Sequence, residues 1–203
     1  MKHFLLVTIA ISLTLIACEK PEVKEYEYEK NPQYSWGYAE FWGAYYAEYS
    51  NNNHVLSLSL FTDSLEINQE SKLTGFGQYL YLEDIFIAPS DTLLPAGVYV
   101  VNDSGNPFTI AAGEEIEYDG DKYNVGAMIN YVEKNSTNDI RKFITGGKMT
   151  VYQIGEKTLI ICDFKLADGT ELKGRYEALL PYFDQSEESA GARQKTRSKI
   201  RQI

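Results

Sequence analysis

Histidine, cysteine and paired carboxylates are the side chains most often recruited for chemistry, and this chain is sparing with the first two. It carries only His3, His54, Cys18 and Cys162. His3 lies in the opening segment, so His54, beside Asn51-Asn52-Asn53, is the one imidazole of the body. A single imidazole cannot assemble a multi-histidine zinc or iron site, and no cysteine pair remains to complete one. His54 therefore reads as a solvated turn residue. No serine stands in a Gly-x-Ser-x-Gly setting, and no catalytic residue, metal or cofactor is expected. The acids Glu83, Asp84, Glu114 and Glu115 would support a glycoside-acting enzyme only if two of them met across a groove at about 5 to 9.5 Å. Asp119-Gly120-Asp121-Lys122-Tyr123-Asn124 offers oxygen ligands at a bend, but Tyr123 and Asn130 stand where a calcium loop of the EF-hand type needs ligands. A plain Asp-Gly turn is the simpler reading.

The densest anomaly is aromatic. Tyr26, Tyr28, Tyr34, Trp36, Tyr38, Phe41, Trp42, Tyr45, Tyr46 and Tyr49 place ten rings in twenty-four residues. At a period of two, Trp36, Tyr38 and Trp42 would line one strand face, and rings of that kind form platforms for sugars or apolar ligands. Packing alone also enriches tyrosine and tryptophan in sheets, so a structural role competes with a ligand-binding one.

Cys18 closes a different pattern. Lys2 and His3 precede a thirteen-residue, mostly apolar run from Phe4 to Ile16, followed by Ala17 and Cys18. Such a run is too short for a permanent membrane helix and fits a removable export signal over residues 1–17. Leu15-Ile16-Ala17-Cys18 resembles a bacterial lipobox. The resemblance implies cleavage before Cys18, a diacylglycerol on its thiol and an acylated amino end. Each buried acyl methylene contributes about 0.8 kcal/mol, so several chains on one cysteine hold a protein on a membrane. An ordinary secretory signal with a coincidental cysteine is the competing reading. Cys162, within Leu159-Ile160-Ile161-Cys162-Asp163-Phe164, reads as a small buried hydrophobe, and a mature chain with these two cysteines has no internal disulfide framework.

The whole chain is at −10; without Lys2 it is at −11, and without the five cations Arg193, Lys195, Arg197, Lys199 and Arg201 the body is at −16. A body so acidic repels nucleic acid and anionic lipid, and no nucleic-acid partner is expected. Residues 18–33 are nearly all charge, proline and tyrosine, which predicts a solvated tether behind the lipidated cysteine. Residues 184–203 turn basic and lose aromatics, which predicts a solvated tail; docking of that tail to an acidic partner or to lipopolysaccharide phosphates is the alternative.

Between these ends, residues 34–183 are read as one β domain. Val55 to Phe61 alternates leucine with serine, so one strand face would be apolar and the other wet. Tyr79 to Ile87 and Gly97 to Val101 are rich in aromatic and β-branched residues and are bounded by turn residues. Shorter strands are expected at Phe108 to Ala111, Glu115 to Tyr118 and Tyr123 to Glu133. Lys148 to Ile154, Thr158 to Leu166 and Thr170 to Leu180 are separated by Gly155-Glu156-Lys157 and Ala167-Asp168-Gly169, a three-stranded meander. Ile160, Cys162, Phe164 and Leu166 share one face; Leu172, Gly174, Tyr176 and Ala178 do the same on the next strand. The expected fold is all-β: one antiparallel barrel or sandwich of roughly eight to ten strands.

Ile144-Thr145-Gly146-Gly147, Thr150-Val151, Gly155-Glu156-Lys157, Phe164-Lys165-Leu166, Asp168-Gly169-Thr170 and Leu172-Lys173-Gly174-Arg175-Tyr176, together with Leu94-Pro95-Ala96-Gly97-Val98-Tyr99, resemble the structural punctuation of Bacteroidales-type outer-membrane and surface lipoproteins. The resemblance implies a lipid-anchored barrel or sandwich, calycin-like, with no activity common to the family. Asp63-Ser64-Leu65 and Asp91-Thr92-Leu93 also resemble the O-glycosylation sequence of that bacterial group, which would place sugars on Ser64 and Thr92. The resulting expectation is a non-enzymatic envelope lipoprotein, anchored to the outer membrane and facing outward, that binds a small apolar or glycan ligand. A structural or adhesive surface subunit, of pilus or accessory type, is the alternative.

Overall fold

The structure is a computed structural model, and it describes residues 28–70, 72–132 and 140–187. Its strands, in chain order, are β1 (Gln33–Tyr34), β2 (Trp36–Gly43), β3 (His54–Phe61), β4 (Leu65–Ile67), β5 (Leu73–Gly75), β6 (Gly77–Ile87), β7 (Gly97–Val101) and β8 (Thr109–Ile110). They continue with β9 (Glu114–Tyr118), β10 (Asp121–Val125), β11 (Ala127–Val132), β12 (Ile140–Ile154), β13 (Lys157–Leu166), β14 (Glu171–Leu172), β15 (Arg175–Ala178) and β16 (Tyr182–Asp184). One single-turn 3₁₀ helix, Ala47–Tyr49, interrupts them.

The all-β expectation holds. Two long strands organise everything. β6 and β12 run the same way, with β11 between their first halves and the pair β7 and β8 between their second halves. Pairing thus closes a five-strand barrel, β6 to β8 to β7 to β12 to β11 and back to β6. On its other edge β6 carries β3, then β2, then β16; on its other edge β12 carries β13, then β15, then β1. Ser35 alone separates β1 from β2, so one stretch of chain pairs with β15 at Gln33–Tyr34 and with β3 from Trp36 onward. That stretch links the two flanks.

The core lies on the inward faces. Leu58 pairs with Ala39 and Leu82, and Leu60 with Gly37 and Leu80; all the leucines are buried. From the meander come Ile160, Cys162, Phe164, Leu166, Leu172 and Tyr176, each at 1 % exposure or less. The alternation read for these strands is the one observed, and Glu171, Lys173, Arg175 and Glu177 face outward. Burial alone pushes the Cys162 thiol well above its ordinary pKa.

Several expectations change. The serine face of β3 is not wet: Ser57 is buried under Trp42 and Glu40 of the neighbouring β2, and Ser59 lies beside the β4–β5 hairpin. His54 opens β3 instead of sitting in a turn. Its Nδ1 lies 2.8 Å from the Asp91 carbonyl, and its ring meets Phe41 edge-on. The strand expected over residues 123–133 is broken at Gly126, whose φ of 79° ends β10 and starts β11 against a different partner.

Residues 28–33, expected in the tether, lie on the barrel instead. Lys173 N–H donates to Lys30 carbonyl, Arg175 N–H to Pro32 carbonyl, and Gln78 exchanges two hydrogen bonds with the Glu29 backbone. Tyr28 is buried, with Lys142 Nζ 4.9 Å from its ring centroid. At the other end Asp184 still belongs to β16, and Gln185 N–H donates to Phe41 carbonyl. The described chain thus begins at the pole where β6 starts and finishes at the opposite pole. Residues 1–27, with Cys18, and 188–203, with the basic tail, lie outside the described residues.

Candidate functional site

Outside the barrel, register places aromatic residues in rows. Trp36 on β2 is opposite Phe61 on β3, which is opposite Tyr79 on β6, then Asn130 on β11 and Arg141 on β12. The next row is Tyr38, Ser59, Tyr81, Met128 and Phe143 on the same strands. Phe61 is the centre. It is 3 % exposed and stacks with Trp36 at 4.0 Å, Tyr79 at 5.4 Å and Tyr38 at 6.0 Å between ring centroids. Trp36, Tyr38, Tyr79 and Tyr81 are half-buried, so each keeps surface for a ligand.

Local contacts lock the platform. Trp36 Nε1 donates to the Leu65 carbonyl at 2.7 Å, which ties its indole to the β4–β5 hairpin. Ile67 and Leu73 of that hairpin, with Tyr38, Ser59, Phe61, Tyr79 and Tyr81, line an open depression of about 290 Å³. Phe183, on β16, meets Tyr38 edge-on at 5.8 Å and is half exposed, which extends the aromatic area to the sheet edge. Beside it, Trp42 Nε1 donates to Ser57 Oγ and Ser57 Oγ donates to Glu40 Oε2 at 2.9 Å.

A shallow face of rings edged by hydroxyls can take one side of a ligand that is itself apolar on a face and polar at its rim. Rings contribute area at low conformational cost, and phenol, serine and amide groups orient what stacks on them. Sugars and flat apolar molecules have that character.

Of the three residues singled out, Trp36 and Tyr38 belong to this face. Trp42 keeps to the same side of the sheet, donating to Ser57, but it is buried in a cluster with Tyr45, Tyr46, Val55, Phe86 and Ala111 and presents no open ring. Phe61, Tyr79 and Tyr81 were missed, although alternation alone places Phe61 on the serine face of its strand and both tyrosines on one face of theirs.

The acids do not form one group. Glu83 Oε2 accepts from Gly126 N–H at 2.6 Å, Asp84 Oδ2 accepts from Tyr46 O–H at 2.7 Å, and Glu115 pairs with Lys122. Glu114 lies on the β9–β10 hairpin, opposite Val125. Ser64 and Thr92 are exposed, the first in a turn closed by Leu65 N–H on Thr62 carbonyl. No group of three or more His, Cys, Asp or Glu side chains able to hold a metal occurs among the described residues.

No known family, curated protein or solved structure matches this chain.

The barrel strands contribute Leu80, Leu82, Ile85, Tyr99, Ile129, Ile144 and Met149 to the core, and the adjoining β3 contributes Leu56 and Leu60, all fully buried. At one pole Tyr99 O–H donates to Pro95 carbonyl, Tyr176 O–H to Leu179 carbonyl, and Leu94 N–H to the Tyr182 oxygen. Burial, with Tyr182 adding to it, pushes Tyr176 up to about 12.

Proposed function

We propose that this chain is a lipid-anchored envelope lipoprotein whose β domain binds a glycan or a flat apolar molecule on the outer face of β2, β3 and β6. The observation that carries the binding half is the row Trp36, Phe61, Tyr79 flanked by Tyr38 and Tyr81, left half open above a rigid sheet. The half-open row of rings favours a surface site over the internal cavity of a calycin, and the same exposed aromatic face suits the second reading, a structural or adhesive surface subunit. The anchoring half rests on the opening segment and its Leu-Ile-Ala-Cys close, and outer-membrane placement with an outward-facing body follows from the family resemblance.

A titration tests the binding half. In a Trp42→Phe background Trp36 is the sole indole, and its emission is followed against neutral oligosaccharides of two to six units and against flat apolar probes. Binding that shifts emission and weakens at least tenfold in Tyr38→Ala or Tyr79→Ala supports the platform. A flat response to every probe removes the binding reading and leaves the structural one. Intact mass of the membrane-extracted protein tests the anchor: a bare Cys18 thiol on the product refutes it.

A further inference from the structure

A second depression, of about 340 Å³, lies away from the aromatic platform. The loop between β2 and β3 and the loop between β7 and β8 build it. Its walls include the rings of Tyr46, Tyr49 and Phe86 and the carboxylates of Asp103 and Glu114. We infer that this pocket binds an organic cation, an alkylammonium or guanidinium group, seated between rings and acids. The inference is independent of the proposed function and uses none of the platform's residues.

Three observations support it. The first is composition: a ring-lined recess attracts cations through the negative faces of its π systems, and quaternary ammonium groups are held in such cages. Two carboxylates at the rim add a charge that neither a neutral sugar nor an anion would complement.

The second is rigidity. Asn51 Nδ2 and Asn53 Nδ2 both donate to the Gly105 carbonyl, at 3.0 and 2.8 Å, so the two loops are clamped together. Tyr46 O–H donates to the fully buried Asp84, and its ring packs at 5.8 Å from Phe86 and 5.0 Å from Tyr45. Donation of the phenol proton also enriches the ring's π density, which strengthens its pull on a cation. Asp103 Oδ1 accepts from Ala112 N–H at 3.0 Å, which positions that rim acid. A site formed in advance loses little on binding.

The third is the field. The strongly acidic body draws cations toward every concave surface and repels anions. A few hundred cubic ångströms suits a small amine or one arginine-sized side chain.

The cation has two possible sources: a free small molecule, or the chain's own basic segment from Arg193 to Arg201, which follows the last described residue, Glu187, by a few positions. The test separates them. Choline and its neutral carbon isostere 3,3-dimethylbutan-1-ol are titrated calorimetrically into the full mature chain and into a variant with Arg193, Lys195, Arg197, Lys199 and Arg201 all changed to Gln.

Choline is expected to bind in the millimolar range or tighter, about tenfold better than the isostere. Tyr49→Leu and Glu114→Gln, at positions outside the core, should each weaken choline several-fold and leave the isostere unchanged. Tighter choline binding in the five-fold variant identifies the tail as the resident cation; equal binding identifies a free one. Equal affinity for choline and the isostere, or no choline binding in either chain, overturns the inference.

Discussion

Tyr46→Phe removes one oxygen from the protein and tests how the buried carboxyl of Asp84 is sustained. The phenol O–H donates to Asp84 Oδ2 at 2.7 Å, Asp84 is 0 % exposed and Tyr46 is 7 % exposed. A hydrogen bond to a carboxyl in such a place contributes about 1.5–3 kcal/mol, because no water can take the place of the lost donor. The ring itself stays, so packing against Phe86 and Tyr45 is retained and no cavity opens. A loss of about 2 kcal/mol is expected. For a domain of this size that lowers Tm by roughly 4–8 °C. In urea the midpoint should fall with an unchanged m value, since the native and unfolded surfaces are the same. Tyr49→Phe, at a half-buried ring, serves as control and should stay within about 0.5 kcal/mol of the parent. A double-mutant cycle with Asp84→Asn should return a coupling of roughly 0.5–3 kcal/mol. A Tyr46→Phe chain as stable as the parent would refute the reasoning, since the bond would then contribute nothing to the fold.

Gly147→Ala should be among the most damaging single-methyl additions. Gly147 sits beside the bulge in β12 at φ 96°, and a Cβ there would lie 2.2 Å from the Asp163 carbonyl oxygen of β13. A loss of at least about 2 kcal/mol by urea unfolding is expected, and a change below about 0.5 kcal/mol would contradict the geometry. Asp168 is held down to about 2 by its hydrogen bond from Lys142, with the Thr170 N–H and side chain assisting. Because the folded pKa lies below the unfolded one, this contribution is complete above about pH 4 and disappears as pH falls toward 2. The pair is partly exposed, so Lys142→Met should flatten that acid limb by no more than about 1 kcal/mol, and less in molar salt. An identical acid limb in the variant would show that Lys142 does not set the Asp168 titration.

Periodicity carried the meander into the sequence almost intact. Ile160, Cys162, Phe164 and Leu166 announce their shared face because one side of that sheet meets water and the other meets the core. The same logic failed at Ser57 and Ser59. Their pattern is that of a wet face, yet Trp42 and Glu40 close on Ser57 and the hairpin Leu65–Ile67 and Leu73–Gly75 stands beside Ser59, neighbours that strand register and distant chain supply. The platform was half legible for a related reason. Trp36 and Tyr38 stood out as neighbours in sequence, whereas Phe61, Tyr79 and Tyr81 reach them only through register across three strands. Trp42 keeps the alternation of its strand and donates to Ser57, but Tyr45, Tyr46 and Phe86 pack over its ring and bury it. Residues 28–33 look like linker by composition, but a strand edge offered by Lys173 and Arg175 gives their backbone partners that composition does not reveal.

The two ends of the described chain sit side by side with strands that run in their own direction: β1 along β15, and β16 along β2. The first leaves toward one pole and the last toward the other. Tension applied between the two ends of the described chain would therefore slide these strands lengthwise, so that their hydrogen bonds share the load and do not break in succession. A globule stitched in this way resists extension by its ends more than one whose terminal strands peel off one bond at a time.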